Sequence, residues 1–155
     1  MGRSVGDAWA MKRWLGVVAP LLAAGGVVVM LLPTMEVRWG VDPALGLDPP
    51  VTRHSWFDPL LLGYARLDAP LALLAGIAGV ILLLVGLRRS LPSWVAIGCL
   101  IAGAVLPLLG YAVHGTLGGI ALVAPVLLAA GAVTAVILRL TATAAITTSQ
   151  STLRL

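Results

Sequence analysis

Charged side chains are scarce in this chain, at 10% of 155 residues, where a water-soluble domain carries about 25%. Together with 60% apolar residues and a mean hydropathy of +1.06, that scarcity excludes a soluble single-domain fold. Cysteine is rarer still. Cys99 is alone, so no intramolecular disulfide braces any segment and no dithiol redox pair exists. Lysine occurs once, at Lys12, while arginine, alanine, glycine, valine and leucine abound. That bias is what AT-poor codons produce, and it points to a GC-rich bacterial genome. The chain also has no C-x-x-C, H-E-x-x-H, G-x-S-x-G or phosphate-binding loop, and the expectation is a protein that is not an enzyme and takes no cofactor.

Four long runs have no charge at all: 14–33, 69–87, 94–113 and 115–138. Each approaches the roughly 20 residues needed to cross a hydrocarbon core of about 30 Å. Leucine, isoleucine, valine and phenylalanine each favour insertion by about 0.3 to 0.6 kcal/mol, and a central charge opposes it by about 3 kcal/mol. The expected fold is therefore an all-α integral membrane bundle of four transmembrane helices over residues 1–140, followed by a polar tail, 141–155, that is disordered or a frayed helix extension. Lys12 and Arg13 before an apolar run have the outline of a secretory signal. That run, however, exceeds the 7 to 15 or so residues of a signal core, and no small-x-small cleavage site follows it, so the first helix is expected to be retained.

Orientation follows from the basic residues. Arg3, Lys12, Arg13, Arg88, Arg89, Arg139 and Arg154 flank the runs on one side. Arg38, Arg53 and Arg66 lie on the other, sharing one loop with Glu36, Asp42, Asp48, Asp58 and Asp68. Positive charge marks the cytoplasmic face, so both ends are expected inside and the loop outside, in a multi-pass protein of a bacterial cytoplasmic membrane. A sequence pI near 10.2 is explained by that topology. The basic residues form no patch, and no nucleic-acid partner is expected. Trp14, Trp94 and Tyr111 fall where aromatic rings settle at the headgroup level.

Helices in lipid associate through close packing, which small residues permit. Ala72, Ala75, Gly76 and Gly79 supply such positions in the second run, Gly98, Ala102 and Gly103 in the third, and Gly115 with Gly119, a G-x-x-x-G, at the start of the fourth. Whether these join helices of one chain or of several copies stays open at this level. Pro20, Pro107 and Pro125 lie within the runs and each removes one backbone donor.

The loop 34–68 holds five of the six acids, two of the five tryptophans and four prolines. Loops longer than about 12 to 15 residues are usually functional or disordered. Trp39, Trp56, Phe57 and Asp58 are the candidate residues for contacting a partner. Asp58 and Pro59 have the form of an N-cap and first helical position opening a short apolar helix, which counts against His54 and Asp58, four apart, as metal ligands on one helix face. Two tryptophans in the first outer loop of a four-span chain resemble the claudin layout, but the paired loop cysteines of that family are absent. Small multidrug-resistance transporters share the four spans and carry a glutamate within the first, which this chain lacks, so no family is assigned. The lipid bilayer is the expected surrounding. The functional expectation is an accessory or scaffold subunit that contacts a larger membrane or envelope partner through the loop. The alternative is a homo-oligomeric transporter or channel lined by Gly115, Gly119 and Thr134.

Overall fold

The computed structural model describes residues 5–38, 46, 48, 50–58, 67–88, 91–114 and 119–152. Four helices dominate: α1 (Val5–Leu31), α2 (Asp68–Arg88), α3 (Trp94–His114) and α4 (Val123–Thr152), the last preceded by one turn of 3-10 helix, Gly119–Leu122. Between α1 and α2 lie two short strands, β1 (Met35–Arg38) and β2 (Val51–His54). The all-α helical framework is as expected, and this short hairpin in the loop is an addition to it.

Three helices contain stretches long and apolar enough to cross a bilayer: Ala10–Leu31, Asp68–Arg88 and Ile120–Ala144, of 22, 21 and 25 residues. At 1.5 Å per residue each spans 30 Å or more. The apolar stretch of α3, Trp94–Gly110, is shorter. These helices are apolar all round, the mark of a membrane element and not of a surface helix, and their larger side chains point outward. Leu21, Leu74, Val95, Val126 and Val133 are each more than half exposed, while the interior is built from Ala19, Ala23, Ala72, Ala96, Ala124, Ala132 and Ala135 with a few larger residues. A chain that hides alanine and displays leucine is arranged for lipid, where burying leucine gains nothing and close backbone approach does. This is a multi-pass membrane protein.

The helices form a closed ring in which α1 packs on α2 and α4, and α3 packs on α2 and α4. Neighbours run antiparallel. Gly16 near the start of α1 faces Leu87 near the end of α2, Gly26 near the end of α1 faces Ala124 at the start of α4, and Arg139 of α4 reaches Pro92, just before α3. One end of the bundle therefore carries Lys12, Arg13, Arg88 and Arg139 with the exposed Trp14 and Trp94. The hairpin occupies the other end.

Leu128 of α4 is the hub. It is fully buried, and β-carbons built at Gly26, Gly76 and Gly103 would lie 3.0, 3.5 and 3.1 Å from its side chain. Three helices thus each withdraw a side chain to admit one leucine from the fourth. Gly26, Gly76 and Gly103 therefore serve contacts within one chain. Gly79 likewise receives Leu100, at 2.6 Å from such a β-carbon. Gly98 does not share this role, because a β-carbon there would meet nothing within 4 Å. It faces outward.

The ends have local causes. Pro33 lies two residues beyond α1, where proline is common because it cannot continue a helix. At α3, Ser93 is the N-cap, its Oγ accepting from the Ala96 N–H at 3.0 Å. The fourth run departs from expectation at both ends. Residues 115–118, with Gly115, lie outside the described residues; Gly119 opens the 3-10 turn, and α4 begins only at Val123. Pro125 explains the switch, since its ring would clash with the carbonyl four residues earlier in a continuous α-helix, whereas in the first turn its missing N–H costs nothing. At the far end α4 continues to Thr152, the helix extension that was one of the two expectations for the tail. Thr141 and Thr143 donate to the carbonyls four residues back, Ile137 and Arg139, at 2.9 and 3.0 Å, so these hydroxyls are satisfied without leaving the helix.

Candidate functional site: the hairpin and its clamp

β1 and β2 pair antiparallel, with Met35 opposite His54, Glu36 opposite Arg53, Val37 opposite Thr52 and Arg38 opposite Val51. Residues 35–38 alternate between apolar and charged side chains, the two-residue period of a strand. Glu36 and Arg53 form a cross-strand ion pair at 3.3 Å with the arginine 65% exposed. A pair that open to solvent contributes at most about 1 kcal/mol. The hairpin needs another anchor.

That anchor is Trp56. Its side chain is 1% exposed, in the same apolar cluster as Met30. Its backbone N–H donates to the Met30 carbonyl at 3.0 Å, and its Nε1 donates to Thr34 Oγ1 at 3.3 Å. Thr34 in turn donates to the Val29 carbonyl at 3.3 Å. The last carbonyls of a helix have no partner within it, so α1 is finished by residues of the loop, and the loop is held by the end of α1.

After β2 the chain turns through Ser55–Asp58. Ser55 Oγ accepts from the Phe57 N–H at 3.4 Å, and Asp58 reaches back to accept from the Ser55 N–H at 2.7 Å and from Ser55 Oγ at 2.8 Å. This reciprocal arrangement is a capping box. Asp58 is thus bound back to Ser55, an S-x-x-D spacing readable in the sequence, and the short helix expected to open at Asp58 and Pro59 falls on the residues that follow. Residues 59–66, with Pro59, lie outside the described residues.

His54 sits between two partners. Its Nε2 is 2.7 Å from Thr52 Oγ1 and its Nδ1 is 3.6 Å from Asp58 Oδ2. Hydroxyl, imidazole and carboxylate stand in the order used by hydrolytic triads. The carboxylate does not fill that role here, because 3.6 Å exceeds a hydrogen bond and both Asp58 oxygens are held at shorter range by Ser55. Among the described residues no three histidine, cysteine or carboxylate groups converge as metal ligands.

Of the expected contact residues, Phe57 is 43% exposed, Asp58 is half-buried in the capping turn, and Trp56 is buried in the clamp. Trp39 lies outside the described residues. Of the packing glycines, Gly76 meets Val27 and Leu128, and Gly79 meets Leu100. Sequence reasoning passed over Thr34, Ser55 and Arg139. Ser55 was readable from its spacing, but Thr34 and Arg139 act through partners 22 and 47 residues away, which no local pattern announces. No protein-family model, curated protein or solved structure matches this chain.

Proposed function

We propose that this protein crosses the membrane four times with both ends in the cytoplasm and serves as a non-catalytic accessory or scaffold subunit, contacting a larger membrane or envelope partner through its outer loop. The observation that carries this reading is the clamp. A loop fastened to the end of α1 by a buried tryptophan and three hydrogen bonds is presented in one orientation, as a recognition surface requires. The bundle interior supports the same reading. Among the described residues it buries no polar or charged side chain, and Thr134, the hydroxyl nearest to a conducting role, donates to the Ala130 carbonyl of its own helix at 2.7 Å. Ion pathways and proton relays in membranes depend on intramembrane polar groups.

The clamp dictates how the reading is tested. Replacing the whole loop would remove Trp56 and damage the bundle, whereas residues 39–50, which join the two strands, can be exchanged for a glycine-serine linker with the clamp intact. Purification from native membranes in mild detergent is expected to recover a stoichiometric partner with the parent chain and to lose it with the exchanged one. Equal recovery of that partner from both chains, or a homo-oligomer with no partner, would overturn the reading, and the second result would make reconstituted flux the next assay.

Topology is checked separately. In a Cys99→Ala background, Asp48→Cys is expected to react with an impermeant maleimide from outside the cell, and Ser90→Cys and Thr148→Cys only after lysis. External labelling at position 90 would reverse the orientation.

A further inference from the structure

We propose that the outward groove between α3 and α4, with Arg139 at its end, binds one anionic phospholipid. The groove has a volume of about 260 Å³ and is lined only by aliphatic side chains, among them Ile101, Ala104 and Val105 of α3 and Ala132, Val133 and Val136 of α4. It is open to the surroundings of the bundle, which for these apolar helices are acyl chains. Alone, such a furrow is ordinary for a membrane helix pair. Its continuation is what selects a ligand.

Trp94, Gly98, Ile101 and Val105 follow one another at spacings of four, three and four, which places them on one face of α3; all four are exposed. At Gly98 a β-carbon would meet nothing within 4 Å, so the face of α3 between the groove at Ile101 and Trp94 is unobstructed. There the Arg139 guanidinium lies 4.8 Å from the centre of the Trp94 ring and donates to the Pro92 carbonyl. These contacts fix the cation in place. They do not neutralise it, and among the described residues no carboxylate pairs with Arg139. A guanidinium has five N–H donors in a planar fork suited to a phosphate. A cation held by an aromatic ring at the level where headgroups lie, above a path shaped for an acyl chain, is complementary to a lipid whose headgroup bears net negative charge. The inference rests on the membrane reading and is independent of which face is cytoplasmic and of what the outer loop contacts.

The test uses the full chain, delipidated in detergent and titrated with dioleoyl phosphatidylglycerol or dioleoyl phosphatidylcholine, with bound lipid counted by native mass spectrometry. One phosphatidylglycerol per chain is expected to bind in preference to phosphatidylcholine and to resist inorganic phosphate. Arg139→Gln is expected to cut that preference roughly fivefold, the effect of one basic residue near a membrane surface. Gly98→Leu, placed in open space and so compatible with folding, is expected to weaken both lipids alike by blocking the path. Arg88→Gln, exposed at the same end of the bundle, is expected to leave both unchanged. The proposal fails if Arg139→Gln keeps the preference, if Arg88→Gln reduces it equally, or if the groove is closed by a second copy of the chain that Gly98→Leu releases.

Discussion

Gly103→Leu is expected to be among the costliest single changes in the bundle. A β-carbon at this position would lie 3.1 Å from the Ala72 carbonyl oxygen and 3.2 Å from the Gly76 nitrogen, as well as 3.1 Å from Leu128 Cδ1. Two of those three neighbours are backbone, so no rotamer change relieves the contact, and α2 and α3 must separate. Overpacking usually costs about 1 to 3 kcal/mol and more where the backbone has to move; about 3 kcal/mol or above is expected here. The contacts that separation would sacrifice are the ones that hold this bundle together, since lipid supplies no hydrophobic force to restore them. Unfolding in a graded mixture of mild detergent and sodium dodecyl sulfate measures the loss. Gly98→Leu is the matched control, the same added bulk on the same helix, facing outward into open space. Equal stability of the two variants would refute the packing described.

Trp56→Ala is the second large effect. It empties a buried site at the end of α1 and deletes the Nε1–H donor to Thr34, and buried tryptophan to alanine changes cost about 3 to 5 kcal/mol. Because the residue fastens the hairpin, the expected signature is spatial as well as energetic. A protease added from the hairpin side should cleave between residues 34 and 58 well before the helices separate. Trp56→Phe retains most of the apolar volume and loses one hydrogen bond, and is expected to fall short of the parent by about 1 kcal/mol with the hairpin still resistant. Unchanged protease resistance in Trp56→Ala would show that the hairpin is held by something other than this clamp.

These two positions also show what a single chain of letters discloses. The apolar runs 69–87 and 94–113 end within a residue or so of the ends of α2 and α3, because Asp68, Arg88 and Ser93 bound them with groups that also end helices. The outer ends of α1 and α4 were not legible. Apolarity reports where a helix meets lipid, not where it stops, and residues 5–13 and 139–152 continue the helices beyond the charge-free runs. The roles of the glycines were half legible. Gly76, Gly79 and Gly103 were marked as packing positions, but so was Gly98, and helices rich in alanine and glycine all round contain no asymmetry that says which face turns inward. The hairpin escaped notice because each strand has only four residues, too few for alternation to stand out, and its register depends on a tryptophan clamped to a helix that precedes it.

The pairing of α1 with α4 has a consequence for biogenesis. Helix α1, made before α2 and α3, finds its most extensive contact with α4, made after both, through Gly26 against Ala124 and Gly131 against Ala19 and Ala23. Adjacent α2 and α3 can close on each other as soon as both are inserted, whereas α1 must hold its small-residue face in reserve until α4 has been made. A nascent chain stalled before residue 119 would display that face to the bilayer, and membrane quality control would meet an unfinished protein with one helix still lacking its mate.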